Sequence, residues 1–346
     1  MQTVSRILPV LMCLTMLSSC ASDAEKAPAA DPNEKNSGSV FAMDTYITVT
    51  AYGENGEKGI SAATKEIERL EKLWSVTDEG SEIYAADHAG GAEISISGET
   101  AELIRFAEEM HSRTNGALDI SLYPVLSAWG FTTGKYRVPD DDEIAQLLGR
   151  TGVDRIKLGD NKLTLPKDME IDLGAVAKGC AGDKAAAALK ESGVECALLD
   201  LGGNIQTVGE TKPDGSKWKI GIRDPNGEGS AATLEIGEGV VITSGGYERF
   251  FEQDGEIYRH ILDPKTGKPA DSGLVSATAI GREGRYCDAL STSLYVLGEE
   301  GAEKLWRESG DFDMVLIADD GSVTITEGIE DSFSLTIPAE LKVLRR

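Results

Sequence analysis

Basic residues are scarce: 34 Lys and Arg stand against 59 Asp and Glu, a formal net charge of −25 over 346 residues. Such a chain repels a phosphate backbone and has no basic footprint, which excludes nucleic acid as a partner. Histidine is rarer still, with three copies. The five cysteines form no CxxC and no Cys/His spacing of the zinc type. No apolar run approaches the roughly 20 residues needed to span a bilayer. Internal repeats are absent. What is present is the composition of a protein that buries a core: 40% hydrophobic and 27% charged.

The N-terminus places Arg6 before an apolar stretch at residues 7–17, followed by Leu17-Ser18-Ser19-Cys20. This is the pattern of a secretory signal over residues 1–19. Its end resembles a bacterial lipobox, in which Cys20 becomes the acylated first residue of the mature chain and anchors it to the membrane. Residues 20–38 are small and polar without apolar periodicity and read as a tether, leaving a folded region at 39–346. Within it, Cys180 early in a helix and Cys196 beyond its end lie roughly 16 Å apart at 1.5 Å per residue, too far to pair. Cys180, Cys196 and Cys287 are expected as buried thiols.

Alternation predicts a strand over 39–53, and Ile60, Ala63, Ile67, Leu70 and Trp74 predict a helix over 57–74. Further helices are expected at 99–112, after Pro139-Asp140, and from about Gly174. Short strands are expected at 93–97, 153–158 and 163–165. A run of strands separated by turns occupies 195–258, helix returns at 287–298 and 301–310, and strands close the chain near 313–326. Strands in runs with interspersed helices predict an α+β fold of mixed, largely antiparallel sheets packed with helices, in one intertwined domain.

Three segments could carry chemistry. In residues 171–179, IDLGAVAKG, a strand-like run enters a helix whose free N–H groups and Lys178 suit an anion, although glycine is common at such junctions. Asp288 and Thr292 lie four apart on one helical face. They could offer oxygen to a hard cation, or be no more than a helix acid and a buried hydroxyl. Gly116 ends a helix and brings the backbone of Ala117, Leu118 and Asp119 close to any ligand. His260 follows an apolar strand and precedes the turn residues DPKTGKP, a setting that fits either a surface polar group or a catalytic base.

Six motifs, MDTYITVTAYG, GALDISLYPVLSAWGF, IDLGAVAKGCAGDKAA, LLDLGGNI, ITSGGYERFFEQDGEIYRHILDPKTGKP and CDALSTSLYVLG, resemble in order and spacing those of the ApbE family, the FAD:protein FMN transferases. The resemblance covers nearly all of residues 40–320. It implies a T-fold-like domain and a bacterial, extracytoplasmic, lipid-anchored enzyme. This enzyme would cleave FAD with Mg²⁺, join FMN to a threonine of an acceptor flavoprotein carrying an Asp-x-x-Ser/Thr-Gly-Ala-Thr type segment, and release AMP. The family's metal ligands fall on the main-chain oxygen of Ala175 and the side chains of Asp288 and Thr292. Its flavin-nucleotide contacts fall on Met43, Ala117, Leu118, Asp119, Asp172, Lys178 and Leu262. His260, beside Leu262, is then the candidate base or orienting group for the acceptor hydroxyl, with a pKa expected near 7.

Two departures accompany the resemblance. Asp44 stands where the family usually has Gly, and Thr77 where some relatives carry a stacking aromatic, a role that Trp74 or Tyr84 would have to fill. Asp263-Pro264-Lys265-Thr266-Gly267 begins like an acceptor segment but is expected to be a β-turn. Two other activities fit the same residues: an Mg²⁺-dependent FAD pyrophosphatase, and a lipoprotein that binds flavin without chemistry.

Overall fold

The computed structural model describes residue 31 and residues 33–346. The signal segment, the lipobox and Cys20 lie outside the described residues. Residues 35–38, assigned to a tether by composition, are instead the start of the first strand, Lys35–Ala42. Its partner Thr45–Tyr52 runs back antiparallel with Ala42 opposite Thr45. The expected single strand over 39–53 is thus a hairpin, turned by Met43 and Asp44 at φ 51° and 60°. Two positive φ values make the type I′ turn that matches strand twist. Met-Asp carries none of the Asn-Gly chemistry by which such turns are read, so the pattern hid it.

Among the described residues nine strands form the main sheet. In spatial order they are Lys35–Ala42, Thr45–Tyr52, Ala197–Leu201, Asn204–Val208, Val240–Gly245, Leu274–Gly281, Asp313–Ala318, Val323–Thr326 and Leu341–Leu344. Every pairing is antiparallel except the last. Sequence periodicity had not marked Leu274–Gly281, whose small residues blur the alternation, nor Leu341–Leu344 at the edge.

Central strands carry apolar residues on both faces, because each face packs against a core. Val240, Ile242, Met314 and Leu316 face a core shared with the helices Gly56–Trp74, Gly98–Arg113, Gly174–Glu191 and Gly284–Ser309. Val241, Val315 and Ile317 face a second core under a three-stranded sheet of Trp218–Arg223, Ser230–Ile236 and Phe333–Leu335. The Gly284–Ser309 helix is interrupted at Gly298, with φ 68° and ψ 179°. A third cluster packs the hairpin Phe250–Gln253/Glu256–Arg259 against the short helix Tyr123–Trp129: Tyr258 lies 5.4 Å from the Trp129 ring. Cys180 and Cys287 are buried, but Cys196 is only half-buried, because it sits at the sheet end. No disulfide joins them. Among the described residues no helix is long and apolar enough to cross a membrane.

Candidate functional site

The helices Gly174–Glu191 and Gly284–Ser309 cross each other through glycines, and that contact builds the floor of the site. Gly179 sits at the crossing, where an added Cβ would lie 2.2 Å from the Gly284 carbonyl oxygen and 2.7 Å from the Asp288 Cβ. Asp183 on one helix caps the other, accepting from the amides of Gly284 at 2.6 Å and Arg285 at 3.0 Å. The crossing thereby fixes Asp288, which is 4% exposed. Its Oδ2 accepts from the Gly179 amide at 2.8 Å and its Oδ1 from Asn204 Nδ2 at 3.1 Å. One turn further along, Thr292 Oγ1 lies 3.2 Å from Ser244 Oγ.

Above this floor opens a cavity of about 620 Å³. Its wall contains the candidate metal-ligating, nucleotide-contacting and catalytic residues Met43, Ala117, Leu118, Asp119, Asp172, Ala175, Lys178, His260, Leu262, Asp288 and Thr292. They come from the first hairpin, the loop after Gly98–Arg113, the helix Gly174–Glu191 and the segment leading into it, the helix Gly284–Ser309, and the segment following Glu256–Arg259. The Met43 amide donates to Glu71 Oε1 at 2.7 Å, which holds the hairpin turn on the first helix. Asp119 Oδ1 accepts from the Ser121 amide at 2.8 Å and caps the turn Ile120–Leu122. Asp172 Oδ1 accepts from the Gly174 amide at 2.7 Å, and burial raises its carboxyl pKa, partly offset by that bond and by Lys178.

His260 hangs from the base of the hairpin, its amide donating to the Arg249 carbonyl at 3.1 Å and its Nδ1 lying 3.1 Å from the same oxygen. A carbonyl can only accept, so Nδ1 carries the proton and Nε2 keeps its lone pair. Burial, then the charge of Arg249, push the imidazole pKa down to about 4. The expected value near 7 is therefore corrected: the ring is desolvated and stands beside cations, and it is neutral at physiological pH.

Sequence reasoning missed Glu248, Arg249, Asn204, Ser244 and Tyr123, which also line the cavity. All five lie inside quoted motifs, but nothing in their spacing distinguished them from strand, helix and turn residues. Burial raises the Glu248 carboxyl, opposed by Lys178 and Arg249. Asp44 pairs with Arg249 at 2.8 Å. Trp74 lies on the cavity wall beside Thr77, with its indole Nε1 donating to Thr100 Oγ1 at 3.2 Å. Tyr84 instead stacks on His88, with ring centroids 3.8 Å apart. The 263–267 segment is the expected turn, its Thr266 and Gly267 amides both donating to the Asp263 carbonyl.

Among the described residues, Asp44, Glu71, Asp119, Asp172, Glu248 and Asp288 face Lys178 and Arg249 in this cavity. An anionic ligand entering alone meets repulsion, whereas a hard divalent cation bound first reverses the local sign. Among the described residues no three His, Cys, Asp or Glu side chains converge on one point. A cation held here would take hydroxyl and main-chain oxygens beside one carboxylate. Asp288, Thr292 and the Ala175 carbonyl fit that description, since a carbonyl in a helix keeps a second lone pair.

Fold and cavity define an α+β protein with an oxygen-lined cleft in which Lys178, Arg249 and His260 stand among carboxylates. The sequence profile of the ApbE family matches residues 43–316, and the chain belongs to that family. It is 31% identical over 300 residues to the FAD:protein FMN transferase of Klebsiella pneumoniae, covering 85% of this chain and 92% of that one. It is also 31% identical to the enzyme of the same name from Treponema pallidum, over 84% of this chain and 86% of that one. The ApbE protein of Thermotoga maritima superposes with a TM-score of 0.81 at 29% identity, over 86% of this chain and 99% of that one. Flavin transferase ApbE from Vibrio cholerae gives 0.78 at 27% identity, over 87% of this chain and 100% of that one.

Proposed function

We propose that this protein is an FAD:protein FMN transferase that uses Mg²⁺. The acceptor hydroxyl oxygen forms a bond to the FMN-side phosphorus of FAD, the bond from that phosphorus to the bridging oxygen breaks, and AMP leaves. The observation that carries this reading is the placement of Lys178, His260, Asp288 and Thr292, from distant parts of the chain, on one cavity wall. When bound, the cation neutralises diphosphate charge as it develops on the leaving AMP. Asp288, Thr292 and the Ala175 carbonyl would hold it. Lys178 adds a fixed positive charge. His260, neutral and with Nε2 free, accepts the proton of the incoming hydroxyl, work worth roughly 10² to 10⁴ in rate. Desolvation makes the ring a weaker base in the free protein, and the approach of an anionic diphosphate raises its pKa again.

Supported by sequence alone, the mature chain begins at a lipidated Cys20 and works outside the cytoplasm on an acceptor with an Asp-x-x-Ser/Thr-Gly-Ala-Thr type segment. The test supplies FAD, Mg²⁺ and such an acceptor, and reads flavin fluorescence of the acceptor band on a denaturing gel with AMP assayed in parallel. A fluorescent band lost in Asp288→Asn is the expected result. AMP and free FMN without a labelled band would mean hydrolysis, and neither product would leave a flavin-binding protein.

A further inference from the structure

The carboxylate at the floor of the site is oriented by a side chain from the opposite layer of the molecule. Asn204 is the first residue of the strand Asn204–Val208, directly after the Gly202-Gly203 turn. It is 3% exposed and lines the cavity. Its Nδ2 donates to Asp288 Oδ1 at 3.1 Å, across from the Gly179 amide on Oδ2 at 2.8 Å. Two residues on, and therefore on the same face of the strand, Gln206 Nε2 donates to the Gly179 carbonyl at 3.1 Å. The strand thus presents two buried amides side by side. One holds the carboxylate, and the other holds the residue whose amide grips that carboxylate from the far side.

We propose that Asn204 is a positioning residue for the cation site, fixing the Asp288 carboxylate plane so that the remaining lone pairs point into the cavity. This inference rests on the reading of Asp288 as a cation ligand. The physical reason is that a carboxylate held by a single donor can still rotate about the bond to Cβ. A second donor on the other oxygen removes that freedom before the cation arrives. Outer-shell partners of this kind change metal affinity by about 10- to 100-fold when removed. An amide suits the place better than an acid, since it donates to Asp288 without adding charge, and better than a lysine, whose charge would compete with the cation.

The test uses Mn²⁺ as the probe, with free ion followed by electron paramagnetic resonance on the whole folded region without FAD. Thermal melting is recorded on the same metal-free samples. Asn204→Leu keeps the side-chain volume and removes the donor, and Asn204→Ser shortens the side chain beyond reach. Both are expected to weaken Mn²⁺ binding by about 10-fold or more, with little change in metal-free melting, and transferase activity is expected to return at high Mg²⁺. Wild-type Mn²⁺ affinity in either folded variant would overturn the proposal. So would a large fall in metal-free melting in both variants, which would make Asn204 a folding residue. If the wild-type protein itself binds no Mn²⁺, the cation reading of the site fails, an outcome distinct from the other two.

Discussion

The Gly179 amide donates to the Asp288 carboxylate at 2.8 Å, across the crossing of two helices whose sequences are 109 residues apart. Backbone of one helix and side chain of the other share a single point, so packing and chemistry are coupled there. Gly179→Ala inserts a methyl group 2.2 Å from the Gly284 carbonyl oxygen. Overpacking of this kind typically costs 1–3 kcal/mol, and backbone can yield only by moving the helices apart. Chemical denaturation should show a loss of about 2 kcal/mol or more, together with reduced activity even where the variant is fully folded. Unchanged stability would mean the helices sit less closely than described.

The histidine predicts an unusual pH profile. His260 is held near 4 by burial and by Arg249, so a base in this position is already deprotonated well below neutrality. The rate constant kcat/KM should be flat from pH 6 to pH 8 and fall only in acid, with its inflection far below the usual imidazole value of about 6.5. His260→Ala should lower transfer by roughly 10²-fold or more. An inflection at the usual value would contradict the burial and charge argued for this ring.

Asp87 predicts a stability trend of the opposite sign to ordinary carboxylates. It is 9% exposed, accepts only the Ile171 amide at 2.9 Å, and burial pushes its pKa up to about 8. Its other oxygen has no partner. A folded-state value raised above the unfolded one gives a contribution that is full below about pH 4 and lost as pH rises through about 8. Between those limits the folded state holds a proton that the unfolded state has released. Relative to wild type, Asp87→Asn should therefore gain about 1.4 kcal/mol for each pH unit from 5 to 7. Urea unfolding of both proteins across that range measures it, and a pH-independent difference would place the Asp87 pKa near the ordinary value.

Asp44 predicts a small effect on folding and a visible one on substrate. It occupies a positive-φ turn position, where glycine is freer, and pairs with Arg249 at 2.8 Å while largely exposed. Relief of the backbone and loss of an exposed ion pair are each about 1 kcal/mol or less and opposed in sign. Asp44→Gly should leave melting nearly unchanged. With one carboxylate gone from the cavity and Arg249 released, KM for FAD should fall by about two- to fivefold at low ionic strength, and the gain should shrink as salt is added. A KM that rises would show Asp44 contributing to binding instead.

The elements legible in sequence were those with long, clean periodicity. Ile60, Ile67 and Trp74 announce a helix because tertiary packing only has to accept a face that the pattern already makes. Asp140 announces a helix start because its carboxylate bonds the Glu143 amide three residues on, at 2.8 Å, a purely local act. The Met43-Asp44 turn and the strand Leu274–Gly281 stayed hidden, since one lacks turn chemistry and the other carries small residues on both faces. The residues of the site were found through motifs, and the same motifs left Asn204, Glu248 and Arg249 unassigned.

Sequence by itself determined the strong net negative charge, the helical spacing that puts Asp288 and Thr292 on one face, and the motifs that mark the family. Those are local or compositional properties, carried by residues near one another in the chain. Only tertiary structure decided which groups meet and in what state. Asn204 reaches Asp288 across 84 residues of sequence, and Gly179 must be a glycine because Gly284 lies against it. His260 is held neutral because the fold half-buries its ring beside Arg249. Desolvation and close approach depend on what surrounds a residue in space, and no pattern along one chain contains that.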